Sequence, residues 1–193
     1  MLFRSLDIEK IIKASLHARE VIKKLMLFSR QTPPQKNPVN LNKIVEEGLY
    51  FLESRCKKAD ITLERSLSKE IPNITADTAQ IYQVLVNLVV NAIQAMPEGG
   101  MLRILTCDHE DYVSLIVEDT GVGMTEDTKK HIFIPFFTTK DMGTGLGLSV
   151  VHGIVSSHGG KIVLDTQPNQ GSRFEIMLPK EDKKISGVKN DKS

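Results

Sequence analysis

Two asparagines, Asn87 and Asn91, stand four positions apart in the stretch NLVVNAIQA. In a helix this spacing places both amides on the same face. An amide offers an oxygen that suits a hard cation and N–H groups that can donate to phosphate oxygens. Mg²⁺ that bridges nucleotide phosphates keeps several waters and needs few protein ligands. The pair therefore fits a magnesium–phosphate site, although ordinary helix polarity gives the same pattern.

An acidic residue comes at the end of an apolar run in the stretch IVEDTGVGM. Asp119 is predicted to end a strand here, and Gly121 and Gly123 follow it. A carboxylate in an apolar slot can accept a hydrogen bond from an exocyclic amine such as that of adenine. Glycine lets the backbone pass close to a base. A plain turn after the strand is the alternative interpretation.

Aromatic rings precede a glycine run in the stretch FIPFFTTKDMGTGLGLSVV. Phe136 and Phe137 are predicted to tether one end of a lid to the core, while Gly143, Gly145 and Gly147 leave the other end free to close on phosphates. A helix that begins near residue 146 would also present unpaired N–H groups to an anion. A loop that is only anchored to the core is the alternative.

Composition excludes several classes of protein. The 25 Lys and Arg nearly balance the 24 Asp and Glu, so no basic field favours nucleic acid as a partner. The longest apolar runs fall far below the ~18 residues of a membrane span, although a longer parent protein can still be membrane-anchored. Cys56 and Cys107 are far apart and outside any metal-type spacing, which indicates reduced thiols. Neither a P-loop motif nor a dinucleotide-binding motif is present.

The apolar periodicity predicts helices and strands without a strict βαβ alternation. A helix is predicted over residues 5–29, and prolines indicate a linker at 33–39. The main folded unit is predicted over residues 40–179, and the polar residues 180–193 are predicted to be a disordered tail. Within this unit, helices are expected near residues 40–58, 77–96 and 147–158, and strands at 61–67, 101–107, 112–119, 160–167 and 172–179.

Four of these stretches, taken in order, resemble the N, G1, F and G2 boxes of sensor histidine kinases: NLVVNAIQA, DTGVG, FIPFFTTK and GTGLGL. The ATP-binding domain of that family shares its fold with DNA gyrase and related ATPases. The resemblance covers residues 37–179. The sequences PFFTTK and NAIQAM are most similar to those of the nitrogen-regulatory type of sensor kinase. It implies an α/β (α+β) two-layer sandwich with helices on one face of a mixed sheet, and a cytoplasmic two-component kinase that uses ATP and Mg²⁺.

The resemblance also implies a role for each matched position. Asn91 would be the Mg²⁺ ligand, with Asn87 beside the phosphates and Asp119 on adenine. Asn87, Asn91 and Lys140 are the implied catalytic residues. The full set of implied ATP-binding residues is Asn87, Asn91, Asp119, Gly121, Gly123, Phe137, Thr138, Thr139, Lys140, Gly143, Thr144, Gly145, Leu146 and Gly147.

The N-terminal segment, residues 1–32, resembles the second helix of the family's dimerisation and phosphotransfer domain, which allows a homodimer through this helix. The acceptor motif of the family, a histidine followed by Glu, does not occur in it. His17 in SLHARE lacks the acidic residue directly after it and is interpreted as a surface residue. The chain is therefore expected to bind ATP without phosphorylating itself, and to act on a dimerisation domain that supplies the histidine for relay to a response regulator.

Two other functions stay open. One is an ATP-hydrolysing protein of the same fold, and the other is a nucleotide-independent dimerisation or docking module. The hydrolytic relatives of the family carry Glu where Asn87 stands. An amide cannot act as the general base for water, so transfer to an external nucleophile is favoured over hydrolysis.

Overall fold

The computed structural model describes residues 34–140 and 143–180, together with Ile8. Several predictions fall outside these residues and stay predictions. They are the helix of residues 5–29 and its dimerisation role, the interpretation of His17, the tail after residue 180, and the lid positions Asp141 and Met142.

Four helices and seven strands make up the described part of the chain. The helices are α1 (Leu41–Lys58), α2 (Thr78–Ala95), α3 (Glu126–His131) and α4 (Gly147–Ser157). The strands are β1 (Asn37–Val39), β2 (Ile61–Leu67), β3 (Ile74–Ala76), β4 (Gly100–Asp108), β5 (Tyr112–Asp119), β6 (Lys161–Thr166) and β7 (Ser172–Pro179).

Five strands form one mixed sheet in the order β2-β4-β5-β7-β6. β2 is parallel to β4, and the other neighbouring pairs are antiparallel. Alternate residues of the central strands face the helices, and Val113, Leu115 and Val117 of β5 are almost fully buried. α1, α2 and α4 bury their apolar faces in the same core. The predicted two-layer α/β (α+β) sandwich is confirmed.

Side-chain caps define where the first two long helices begin. The Oδ1 of Asn40 accepts hydrogen bonds from the backbone N–H groups of Asn42 and Lys43, and this satisfies donors that have no partner within α1. Asp77 caps α2 in the same way through the N–H groups of Ala79 and Gln80. α2 then packs against both α1 and α4, so it lies in the middle of the helical layer. Side chains on α2 are thus held on a rigid element.

The predicted long helices and sheet strands agree with the observed ones within a few residues. The short elements β1, β3 and α3 were not predicted. β1 lies inside the predicted linker of residues 33–39, where its three residues pair with β3. Three-residue strands carry no readable periodicity, and they form because the partner strand supplies the hydrogen bonds. Among the described helices, none is both long enough and apolar enough to cross a lipid bilayer.

Candidate functional site

A cleft of about 350 Å³ opens between α2, α4 and the segment that joins α3 to α4. Its floor is closed by the ends of β5 and β7. All but two of the predicted ATP-binding residues line it, although they come from four separate stretches of sequence. The predicted residues that line the cleft are Asn87, Asn91, Asp119, Gly123, Phe137, Thr138, Thr139, Lys140, Gly143, Thr144, Gly145 and Gly147.

The two predicted residues that do not line the cleft, Gly121 and Leu146, support its walls. Gly121 packs against the end of α2, where a Cβ on it would lie 2.5 Å from the carbonyl oxygen of Ala95. Leu146 is 1% exposed and immediately precedes α4. Its side chain is part of the interior, so only its backbone is left for the predicted contact with nucleotide, which stays a prediction.

At one end of the cleft, two amides face the beginning of a helix. A Cβ placed on Gly147 would lie 3.8 Å from the Nδ2 of Asn91 and 3.9 Å from the Oδ1 of Asn87. Leu146, at the N-cap position of α4, makes no side-chain capping hydrogen bond. The first N–H groups of α4 are therefore left for another acceptor, and the helix dipole favours an anion there. This end of the cleft suits phosphate groups.

At the other end of the cleft lies a buried carboxylate. Asp119 is 9% exposed, and its Oδ1 accepts a hydrogen bond from the N–H of Gly121 at 2.9 Å. Burial raises the pKa of Asp119, while the N–H groups of Gly121 and Ser172 and the charge of Lys140 act in the opposite direction. A carboxylate with few partners in an apolar slot is specific for a ligand that donates hydrogen bonds.

The turn after Asp119 needs glycine at position 123. Gly123 has φ of +60°, and a Cβ there would lie 1.9 Å from the carbonyl oxygen of Gln167. The backbone of the adjacent Val122 makes two hydrogen bonds: its N–H donates to the carbonyl of Ala95, and its carbonyl accepts from the N–H of Asn169. The backbone beside the carboxylate is thus fixed by α2 and by the β6–β7 turn.

The two ends of the predicted lid meet each other. The N–H of Phe136 donates to the carbonyl of Gly145 at 3.0 Å, and Gly145 has φ of +65°. Phe137 packs against the core, as predicted. The predicted tethering by Phe136 is wrong, because its ring is 58% exposed. The positive φ of Phe136, +68°, turns its side chain away from the core, and Phe133 supplies the second apolar anchor instead.

Lys140 reaches across the cleft to α2. Its Nζ donates to the Oε1 of Gln94 at 3.0 Å and lies 3.5 Å from the carbonyl oxygen of Asn91. Burial lowers the pKa of Lys140, and the charge of Asp119 opposes that shift. Lys140 and Asp119 are the only ionisable residues among the described residues that line the cleft.

Several lining residues were not predicted. Gln94 stands three positions after Asn91, a helical spacing that could have indicated it. Ser172 lies opposite Asp119 in the β5–β7 register, a relationship that only the sheet reveals. The unpredicted apolar wall suits a planar ring and consists of Val122, Met124, Ile132, Leu148 and Phe174.

A second cleft of equal volume lies at the edge of the outer sheet face. Both arginines that line it take part in ion pairs: Arg103 pairs with Glu64 at 2.9 Å, and Arg173 pairs with Glu118 at 3.0 Å. Each pair joins residues that face each other on neighbouring strands. Asp119 lines both clefts, whereas the other eleven predicted ATP-binding residues that line a cleft line only the first one.

The described residues contain no group of three or more His, Cys, Asp or Glu side chains that could hold a metal ion. The described residues thus offer no site at which protein side chains alone would bind a metal ion. The Oδ1 of Asn91 remains as a neutral oxygen ligand at the phosphate end. Such a donor fits a Mg²⁺ that arrives with a nucleotide and is bound mainly by phosphate oxygens and water.

Comparison with known proteins agrees with this geometry. Residues 76–182, more than half of the chain, match the family described as histidine kinase-, DNA gyrase B- and HSP90-like ATPase. Signal transduction histidine-protein kinase AtoS of Escherichia coli is 37% identical over 170 residues, which are 88% of this chain and 28% of AtoS. Sporulation kinase A of Bacillus subtilis is 38% identical over 156 residues, 81% of this chain and 26% of that kinase. The chain thus spans less than a third of these relatives.

Solved structures show the same relationship. The nucleotide-free catalytic domain of histidine kinase ThkA superimposes with a TM-score of 0.71 at 38% identity, over 77% of this chain and 97% of that domain. ThkA in complex with the response regulator protein TrrA gives a TM-score of 0.76 at 33% identity, over 89% of this chain and 50% of the ThkA chain. The chain therefore belongs to the histidine kinase-, DNA gyrase B- and HSP90-like ATPase family, as a catalytic ATP-binding domain of the sensor histidine kinase type.

Proposed function

We propose that the chain binds Mg-ATP in the cleft between α2 and α4 and transfers the γ-phosphoryl group to a histidine on a dimerisation domain, for relay to a response regulator. The observation that carries the proposal is the position of Asn87 and Asn91 opposite the uncapped beginning of α4. Amide donors, free backbone N–H groups and a helix dipole converge there, and each of them stabilises phosphate charge. The location proposed for the domain is cytoplasmic.

The two ends of the cleft orient the nucleotide. Asp119 accepts the exocyclic amine of adenine, because its carboxylate is buried and can still accept hydrogen bonds. The triphosphate then extends toward Asn87, Asn91 and the N–H groups at the start of α4. Gly123, Gly143 and Gly145 allow the backbone to come close to the ligand. Lys140 adds a positive charge from the lid side.

Magnesium is proposed as the metal that accompanies ATP. When bound, Mg²⁺ would neutralise phosphate charge and so stabilise the in-line transfer. In this chain the Oδ1 of Asn91 would hold it, and the amide of Asn87 would contact the phosphates beside it. The cleft supports such a metal through one neutral oxygen rather than through a cage of carboxylates.

The cleft favours transfer over hydrolysis. Activation of water requires a base close to the γ-phosphate. Asn87 is an amide, and Asp119, the only carboxylate among the described lining residues, is assigned to the adenine base in this proposal. The described lining residues include no histidine, so the acceptor imidazole must enter from elsewhere.

The segment 1–32 is proposed to form part of the helical unit that presents such an acceptor. A response regulator is proposed as the next recipient of the phosphoryl group, by analogy with the complex of ThkA and TrrA.

The experiment mixes the chain and γ-labelled ATP with a separately made dimerisation domain that carries the acceptor histidine. The proposal predicts an acid-labile label on that domain, and its loss in Asn91→Ala. Asn73→Ala is the matched control, because Asn73 is exposed and outside the cleft. Label transfer that survives in Asn91→Ala would contradict the metal role. Steady phosphate release without an acceptor would support an ATPase, and no binding of nucleotide would support a docking module.

A further inference from the structure

The contact between Lys140 and Gln94 joins two parts of the cleft that are distant in sequence. Lys140 comes just before residues 141–142 of the lid, and Gln94 lies in the last turn of α2, 46 residues earlier. The Nζ–Oε1 distance of 3.0 Å is that of a good hydrogen bond. The side chain of Lys140 is half-buried and Gln94 is exposed, so the contact joins two residues of the cleft lining at a place that solvent reaches.

The electrostatics of α2 favour a cation at this place. The C-terminal end of a helix carries a partial negative charge, and a basic residue in the last turn commonly compensates it. The last turn of α2 contains no basic residue. Lys140 supplies that charge from the lid and is also attracted by Asp119 across the cleft. The position of its ammonium group is thus set by α2 and not only by the lid.

The contact leaves part of the ammonium group unused. A lysine carries three N–H donors. Gln94 accepts one at 3.0 Å, and the carbonyl of Asn91 is a weaker partner at 3.5 Å. Because Gln94 and Asn91 are three residues apart on α2, the lysine is held one helical turn from the amide that faces the start of α4. The remaining donor capacity is therefore available to a phosphate oxygen in the cleft.

We propose that Gln94 is a positioning residue, which holds the ammonium group of Lys140 beside Asn91 so that this lid cation meets the nucleotide phosphates at a fixed place. This inference rests on the proposed binding of ATP in the cleft. Gln94 itself acts through Lys140 and needs no direct contact with the nucleotide.

A double-mutant cycle tests this role through the affinity for Mg-ATP and for adenosine, measured by calorimetry on the whole chain. Gln94→Met keeps the length of the side chain and removes the acceptor. It should weaken Mg-ATP binding by about tenfold, which is the usual scale for a hydrogen bond to a charged group, and leave adenosine binding unchanged. In a Lys140→Met background, Gln94→Met should have no further effect. Gln94→Glu restores an acceptor and should restore the affinity for Mg-ATP.

Gln83→Met is the matched control, since Gln83 lies on α2 outside the cleft lining. A second readout needs no nucleotide: Gln94→Met should shift the NMR signal of the Lys140 Cε and leave that of the exposed Lys130 unchanged. An equal loss of Mg-ATP affinity in the Lys140→Met background, or a loss of adenosine affinity, would show a merely structural role and overturn the inference. Failure of the wild-type chain to bind Mg-ATP would instead contradict the proposed function, and the inference with it.

Discussion

The backbone N–H of Asp77 donates a hydrogen bond to the Nε2 of His158 at 2.9 Å. Asp77 caps the beginning of α2, and His158 follows the end of α4. The Nδ1 of the same ring lies 2.8 Å from the carbonyl oxygen of Ile154, so this nitrogen carries the proton and Nε2 is the acceptor. One buried imidazole thus joins the two helices that form the phosphate end of the cleft.

Removal of this imidazole should destabilise the domain. His158→Ala leaves the N–H of Asp77 without its acceptor and creates a cavity, because His158 is 3% exposed. We expect the free energy of unfolding to fall by about 2 kcal/mol, measured by urea denaturation. Ser156→Ala, an exposed position on the same helix, is the control and should change stability little. A loss no larger than that of the control would contradict the joining role of His158.

Substitution of Gly123 and of Gly153 by alanine should change the free energy of unfolding in opposite directions. Gly123→Ala places a Cβ against the carbonyl of Gln167 at a positive φ, so it should lower the free energy of unfolding by more than about 2 kcal/mol. A Cβ on Gly153 in α4 meets no atom within 4 Å. Gly153→Ala should therefore raise stability by about 0.5–1 kcal/mol, since alanine favours a helix. Thermal denaturation of both variants checks this, and equal effects would refute the described backbone at Gly123.

The ionised form of Asp119 should be needed for adenine recognition. Burial raises its pKa above the ordinary value of 3.8, so the carboxylate takes up a proton at a higher pH than an exposed aspartate. The protonated group is a poorer acceptor for an amine. Adenosine affinity should therefore be highest at neutral pH and decline as the pH falls toward and through this raised pKa. Adenosine is the suitable ligand because it has no phosphate to titrate.

Asp119→Asn provides the control for that pH profile. It should weaken adenosine binding at neutral pH by about tenfold or more, because it removes a charged acceptor, and the decline at acidic pH that wild type shows should be reduced. Calorimetry at several pH values measures both effects. A variant with wild-type affinity at neutral pH would mean that another group recognises the base.

The sequence predicted those features that depend on local pattern. The spacing of Asn87 and Asn91 required only that their segment be helical, and the apolar run before Asp119 required only that it be a strand. The long helices and sheet strands have enough residues for their periodicity to be read. For this reason the main elements, and the four stretches that meet in the cleft, could be identified without coordinates.

The remaining features depend on tertiary structure. The exposure of Phe136 follows from one positive φ, which residue type does not reveal. The hydrogen bond of Ser172 to Asp119 follows from the register of β5 and β7. The contact of Lys140 with Gln94 requires the lid and α2 to lie side by side. The last two relationships join residues that are separated by other elements, and local periodicity carries no information about them.

The most direct measurement is a calorimetric titration of the chain with ATP, with and without Mg²⁺, for wild type and Asn91→Ala. Wild type should bind ATP more tightly when Mg²⁺ is present, and Asn91→Ala should lose most of this gain and still bind adenosine. ATP binding that is insensitive to Mg²⁺ and to Asn91→Ala, or no ATP binding by a folded wild-type chain, would contradict the proposed binding of Mg-ATP.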